Sequence, residues 1–239
     1  TDFKFRALLE SRLEERKIKN AIDDAIITAL EQLRQLMSTG YPDLGIPPLD
    51  PLYIEHEDLK LESQLINLQL TIDETTVTQL SGFVIDKIEN DLANLKADFG
   101  ITLPQLEFVG MYDALGEIPD LIQIIGNGSY TLSLTGLSTW GTVTIGSEGN
   151  SEDGAVFIQS LDLDFSLEAL KTGFENFMGG GSMGDLMNDL ISENGPEYLE
   201  QMKPDINEYI ANLAIGLANP ILSHYTLKEI LDFLGVTPN

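Results

Sequence analysis

Between Pro196 and Leu222 lies the stretch that most restricts how this chain can fold. Leu199, Met202, Ile206, Tyr209, Ile210, Leu213 and Leu217 recur at steps of three and four, the spacing that lines side chains along one side of an α-helix. Glu197, Glu200, Asp205, Glu208 and Asn212 take the other side. Pro196 suits a first helical position, where its missing N–H has no intrahelical partner. Pro204 lies inside the pattern, so the helix either kinks or properly begins there. From Ala211 to Ala218 there are no charges, and the residues are small or apolar nearly all round. A helix apolar on every side must be enclosed on every side. At ~1.5 Å per residue it makes a rod of roughly 35 Å, and the rest of the chain must supply the wrapper.

The wrapper is a sheet. From Leu52 to about Thr78 the period is two, with Ile66, Leu68, Leu70 and Ile72 alternating with Asn67, Gln69 and Thr71, as in a half-buried strand. Tyr130, Leu132 and Leu134 alternate with Ser and Thr after Gly126-Asn127-Gly128, which reads as a turn. Val156 to Leu167 is a long strand whose apolar phase slips at Gln159–Ser160, the mark of a bulge or bend. The polar run Gly146–Gly154 reads as a hairpin loop. Phe83–Phe99 fits strand or helix, and Ile101–Met111 is a strand interrupted at Pro104. In front stands a helix over residues 7–37, clearly amphipathic from Ala21 to Leu36 and ended by Gly40-Tyr41-Pro42. Gly173–Gly184 leads into a helical segment, Asp185–Ile191, and Thr226-Leu-Lys-Glu229 opens a last short helix ending at Gly235. The order is helix, many strands, then helices: an α+β fold with an antiparallel sheet about one long helix. We expect a single domain over 1–239, with the N-terminal helix in 1–40, mainly sheet in 45–172 and helices in 173–239. Such a wrap packs solid or leaves a tunnel; the pattern alone does not separate the two.

Charge narrows the function. The 239 residues hold 13 basic and 39 acidic side chains, a net −26. Nucleic acid is excluded as a partner, since phosphates need Lys and Arg to replace their counterions, and anionic membranes are disfavoured. Without cysteine there is neither disulfide nor thiolate chemistry. No apolar run approaches the ~18 residues of a membrane span, and the start at Thr1 without a signal segment is compatible with a processed secreted chain.

Gly180-Gly181-Ser182-Met183-Gly184 matches G-x-S-x-G, with Asp205 and His224 following in hydrolase order. That elbow needs a buried parallel strand before it, which Phe174–Met178 does not offer, so a lipase-like enzyme is the lesser alternative and no catalytic residue is assigned. His56 and His224 lack metal-ligand spacing, so no metal is expected, and His56 reads as a surface residue beside carboxylates. Asn127-Gly128-Ser129 is an N-glycosylation sequon.

Gly45-Ile-Pro-Pro-Leu-Asp-Pro-Leu52, with three prolines that forbid helix and interior strand, resembles the signature after the first helix in the takeout and haemolymph juvenile-hormone-binding proteins of insects. Ile124-Ile-Gly-Asn-Gly128, Phe174–Gly181 leading to Met183-Gly-Asp-Leu-Met-Asn-Asp-Leu190, and Glu193-Asn-Gly-Pro-Glu197 with Met202-Lys-Pro204 are similar to the same family in the same order. The resemblance covers essentially the whole chain. It implies a highly curved antiparallel sheet rolled about a long helix around a hydrophobic tunnel, and a secreted carrier of an apolar small molecule in a haemolymph-like fluid. A terpenoid, carotenoid, quinone or fatty acid is the expected cargo, with no other cofactor. The chain departs from the family in lacking the N-terminal disulfide, whose second cysteine would fall near Ala21; this moves the expected ligand away from juvenile hormone. The candidate lining is Ile22, Ile26 and Leu30 of the first helix; Phe83, Phe108, Met111, Tyr130, Leu132, Leu134, Trp140 and Phe157 of the sheet; Phe174, Phe177 and Met178 after it; and Met202, Ile206, Tyr209, Ile210 and Leu213 of the long helix. Tyr130, Tyr209 and the Trp140 indole N–H are candidates for orienting a head group. The first helix and Gly173–Gly184 are the expected gates. A ligand-free structural or signalling protein, with a solid core, is the remaining alternative.

Overall fold

The computed structural model describes residues 2–44, 46–62, 64 and 66–236, residues 2–10 and 44 by backbone alone. Gly45, which opens the proline signature, lies outside the described residues. The elements are α1 (Asp2–Leu36), β1 (Leu52–Glu62), β2 (Asn67–Thr78), β3 (Val84–Asp91), β4 (Lys96–Ile118), β5 (Ile122–Ser147), β6 (Val156–Phe174), α2 (Gly181–Gln201), α3 (Lys203–Leu222) and α4 (Leu227–Phe233). The six strands form one antiparallel sheet in the order β1-β2-β4-β5-β6, with β3 paired to the first part of β4. The α+β expectation holds. The sheet is long and curved, and it does not close on itself.

Length is what curves it. β4 and β5 run 23 and 26 residues, far beyond a typical strand of five or six, and strands this long accumulate twist and coil. Pro104 does not end β4, because it occupies a position left out of the ladder between Leu103 and Gln105. Opposite stands Gly136, whose φ of 63° is left-handed and therefore suits glycine. Across this line the inward residues change parity: Leu106, Phe108, Tyr112 and Leu134 on one side, Leu103, Leu137, Phe165 and Leu167 on the other. The bulge expected at Gln159 is present, since Thr144 pairs with Ser160 while Ile145 pairs with Ile158. Gly126-Asn127-Gly128 is not a turn. It lies inside β5, and Gly126 is small because a Cβ there would stand 2.5 Å from Tyr112 Oη and 2.9 Å from Phe177 Cδ2.

The continuous helix expected from Pro196 to Leu222 is two helices. Met202, with φ −101° and ψ 7°, breaks them, and Pro204 stands in the first turn of α3. Pro196 is inside α2 rather than at its start. Both helices lie along β6, the outer strand, and their side chains occupy its edge N–H groups. Asn188 Oδ1 accepts from Phe174 N at 2.8 Å, Ser192 Oγ from Thr172 N at 3.0 Å, and Asn219 Oδ1 from Ile158 N at 2.8 Å. An edge strand with free donors is thereby covered.

α1 docks by its second half on β3. Ile22 is buried, Asp23 accepts from Asn90 N at 2.7 Å and from Asn90 Nδ2 at 2.5 Å, and Lys19 pairs with Glu89 at 2.8 Å. At its end the Arg34 guanidinium lies 3.8 Å from the Phe83 ring centre and donates to Ser81 O. The proline segment turns back under it, with Asp50 accepting from Gln79 N, Ser81 N and Ser81 Oγ. α4 opens with the expected capping box of Thr226 and Glu229, and its following Gly235 takes φ 74°.

Candidate functional site

One end of the curved sheet is plugged. Tyr112, Ala114, Ile124, Tyr130 and Phe177 form a buried cluster, with Tyr112 edge-on to Phe174 at 4.8 Å and Tyr130 stacked on Phe174 at 5.7 Å. Both hydroxyls are satisfied inside the protein. Tyr112 donates to Glu175 O at 2.6 Å, and Tyr130 shares a 2.9 Å bond with Thr75 Oγ1. Burial, then the Asp113 and Glu175 carboxylates, push Tyr112 up to about 12. Burial likewise raises Tyr130, against the Thr75 bond.

Beyond the plug the apolar side chains are only half covered. Leu68, Leu70 and Ile72 of β2, Phe108 of β4, Leu132 of β5, Phe174 of β6 and Met187 and Ile191 of α2 pack on the cluster yet keep contact with solvent. The whole chain exposes 14591 Å², against roughly 10,600 Å² for a compact monomer of this mass. Exposed large apolar side chains stand on α1 (Leu13, Ile18), on the outward face of β4 and β5 (Val109, Leu115, Ile125) and on α2 and α3 (Leu186, Leu190, Leu213, Leu217).

α3 explains why the face stays open. One of its stripes, Ile206, Ile210, Ala211 and Ile215, turns toward β6. Tyr209, Leu213 and Leu217, which flank Ile206 and Ile210 at helical spacing, are 36%, 40% and 42% exposed. The all-round enclosure expected for this helix is therefore incomplete, and its apolar side is itself part-exposed. Tyr209 nevertheless reaches across to the other edge of the sheet, donating to Glu57 Oε1 of β1 at 3.3 Å. Burial first, then Glu57, push the Tyr209 phenol up to about 12. β6 and β1, the two ends of the strand order, thus both meet α3.

Two recesses open on the surface. One, of about 440 Å³, lies between the bulged part of β6 and α3, with Leu161, Leu163, Ala211 and Ile215 as apolar walls and Ser160 and Asn207 among its polar groups. The other, of about 350 Å³, sits where β1 meets β2 and β4 meets β5, and is lined by Leu68, Leu115, Ile124 and Ile125 together with charged and amide residues such as Lys60, Glu62, Gln69 and Glu117.

The expected lining residues divide among these places. Phe108, Leu132, Phe174 and Met178 belong to or abut the buried cluster, which contains Tyr130 and Phe177; Leu134 follows on the same face. Ile206 and Ile210 lie in the stripe toward β6, and Met202 sits at the helix break. Ile26 and Leu30 are half-buried on α1 beside the buried Ile22. Phe83 anchors α1 through Arg34, and the Phe157 ring covers Gly146. Met111, 44% exposed, does not point inward: in this part of β4 the even-numbered residues face in, and Tyr112 takes that place. Trp140, 43% exposed, is likewise turned out, because the parity change at Gly136 precedes it. Tyr209 and Leu213 are part-exposed rather than enclosed. Of the proposed orienting groups, Tyr130 and Tyr209 already have protein partners and Trp140 is outside. Sequence reasoning missed Tyr112, Asn207 and Glu57 as inward polar groups; alternation with Phe108 and Gly110 was the available signal for Tyr112.

Ser182 is exposed in the first turn of α2, preceded by a 3₁₀ turn at Phe177–Gly179 rather than a strand, and no hydrogen bond joins it to His224 among the described residues. His56 is exposed and held between Asp73 at 2.6 Å and Asp58 at 3.3 Å, which raise its pKa in that order. No metal-binding group of His and carboxylates occurs among the described residues. Asn127 is exposed on the outer face of β5, opposite Asp113.

The comparisons agree with this architecture. The model of the haemolymph juvenile hormone binding protein (JHBP) family matches residues 6–232. Among solved structures, Takeout 1 of Epiphyas postvittana is similar with a TM-score of 0.69 at 23% identity, covering 84% of this chain and 92% of that one. A lipopolysaccharide binding protein gives a TM-score of 0.38 at 12% identity, over 87% of this chain and 39% of that one. None of the curated proteins compared shows a significant match. A match over nearly the full length, together with the curved sheet and its flanking helices, places the chain: it belongs to the haemolymph juvenile hormone binding protein family.

Proposed function

We propose that the protein is a secreted, non-enzymatic carrier that holds a hydrophobic small molecule in the trough between the sheet and α2–α3. One observation carries the reading: the inner face is apolar but only half covered, so it has surface to offer a guest. A molecule hiding about 500 Å² of apolar surface there gains about 12 kcal/mol. With about 4 kcal/mol lost on association, about 8 kcal/mol remains, a micromolar complex. Met178 and Met187, packed against the buried cluster, offer the adaptable wall that a long or flexible guest needs. Membership in a family named for juvenile hormone binding supports the same class of cargo, of terpenoid, carotenoid, quinone or fatty-acid type. On this reading the protein acts by burial alone. The exposed sequon at Asn127 fits an extracellular protein, and mass spectrometry of protein from extracellular fluid would show that asparagine glycosylated.

Organic extraction of protein from its native source, with absorption spectroscopy and mass spectrometry, tests the proposal. A stoichiometric apolar compound is expected, and colour in the extract would identify a carotenoid. An empty extract, together with no uptake of a fluorescent lipid probe, would refute the carrier role.

A further inference from the structure

We propose that the outer face of the sheet at β4 and β5 is the seat of an N-linked glycan on Asn127, which lies over Val109, Met111, Leu115 and Ile125 and covers an apolar patch that no described element of the chain covers. The inference rests on the extracellular part of the reading above and adds what the glycan does.

The strand register makes the placement. Asn127 stands opposite Asp113, Met111 opposite Ser129, Val109 opposite Thr131 and Leu115 opposite Ile125. Alternation puts all of these on one face. It is the outer one, because Tyr112, Ala114, Ile124 and Gly126, which alternate with them, are buried. Val109, Met111, Leu115 and Ile125 are between 44% and 59% exposed. Asn127 lies among them. Ile125 is its neighbour along β5 at about 7 Å, and Met111 and Leu115 are its diagonal neighbours across the ladder at about 7–8 Å. Large apolar side chains exposed together in this way mark a surface that something covers.

Elsewhere the outer face is finished with polar pairs. Between β1 and β2, His56 bonds to Asp73, and Thr71 donates to Asp58. Between β4 and β5, Ser133 donates to Glu107, and Thr135 to Gln105. These pairs stop at the apolar patch. Within the patch the Asn127 side chain is exposed and makes no hydrogen bond among the described residues, so its Nδ2 is free to carry sugar. Asn127-Gly128-Ser129 is the one Asn-x-Ser/Thr sequence in the 239 residues, the acceptor pattern for N-linked glycan.

A sugar ring suits this surface on both counts. Its C–H face packs on apolar side chains and takes their surface out of water. Its hydroxyls pair with amides, and Gln69 and Gln123 stand with Leu115 and Ile125 around the neighbouring recess. Two other occupants fit less well. A second copy laid face to face would set Glu107, Asp113 and Glu117, the outward carboxylates of β4, against their own counterparts, and like charges across an interface are costly. An anionic membrane would meet the same carboxylates.

The test is hydroxyl-radical footprinting, read by peptide mass spectrometry, of the full chain secreted from a eukaryotic host and of its Asn127→Gln and Ser129→Ala variants. The unmodified chain is expected to carry sugar at Asn127. Its Met111, Leu115 and Ile125 should be oxidised about threefold more slowly than in either variant, in proportion to the surface that the sugar hides. Met183 and Leu186 of α2, similarly exposed, should react equally in all three proteins. Ser129→Ala keeps the asparagine, so agreement between the variants assigns the effect to the sugar. Enzymatic removal of the glycan from the folded chain repeats the comparison without a substitution, and the same acceleration is expected. A secreted chain with Asn127 bare would overturn the inference. So would a glycan whose loss leaves Met111, Leu115 and Ile125 reacting as before. Neither result touches the carrier reading, which falls instead on an empty extract and no uptake of a lipid probe.

Discussion

Replacing Tyr112 by phenylalanine removes one oxygen from the centre of the plug and should reverse sign with pH. The side chain is 3% exposed, and its hydroxyl donates to Glu175 O at 2.6 Å. At pH 7 the variant loses that bond and leaves the carbonyl without its donor, a cost of roughly 1–2 kcal/mol. The ring contacts with Phe174 and Phe177 are kept. At high pH the balance shifts. The phenol is pushed up to about 12 in the folded protein, from about 10 in an unfolded chain. A folded-state pKa raised in this way favours the neutral form. Its stabilisation is complete below pH ~10 and is lost as pH rises toward ~12, at about 1.4 kcal/mol per unit. The unmodified protein therefore loses roughly 3 kcal/mol from this residue over that window, and the variant loses none. The two stability curves should cross near pH ~11. Urea unfolding followed by far-UV circular dichroism from pH 7 to 11.5 measures the difference. Tyr130, Tyr209 and the lysines titrate in both proteins and cancel. A difference that stays constant across the range would show that the Tyr112 phenol titrates as freely as in the unfolded chain, and would refute the argument.

Gly126→Ala tests whether that glycine serves packing rather than a turn. Its Cβ would meet Tyr112 Oη at 2.5 Å and Phe177 Cδ2 at 2.9 Å, costing roughly 1–3 kcal/mol and lowering Tm by about 5 °C. Gly82→Ala, with nothing within 4 Å, should leave Tm nearly unchanged, and equal melting of the two variants would contradict the packing account. Asn90→Ala removes the Nδ2 donor to Asp23 and to the Lys19 carbonyl, leaving the backbone N–H bond to Asp23. The exposed Lys17–Lys19 part of α1 should then be cut faster by trypsin, with the sheet intact; an unchanged cleavage rate would place the anchorage of α1 elsewhere.

How far the sequence was legible depends on the range of the interactions involved. The capping box at Thr226–Glu229 and the bulge at Gln159 were visible because each is settled within a few residues. The extended proline segment was visible for the same reason. The division of the long helix was open, since Pro204 permits either a kink or a start. The turn at Gly126–Gly128 was misread: local chemistry gives glycine and asparagine to turns, whereas here the neighbours Tyr112 and Phe177, distant in the chain, require the small residue. Met111 and Trp140 were misplaced because apolar residues occur on both faces of β4 and β5, and alternation alone does not say which face is covered.

The sequence by itself determined the fold class, the antiparallel sheet and the family, because hydrophobic period, proline pattern and chain order are properties of a single strand of residues. Only the tertiary structure decided that the apolar residues of α3 are part-covered, that Tyr209 bridges to Glu57, that the hydroxyls of Tyr112 and Tyr130 are already paired, and that the Asn207 oxygen is not. These depend on which side chains the curvature of a 26-residue strand brings together. Curvature is summed over the whole sheet through twist, bulges and the left-handed Gly136, and no short window of residues contains it.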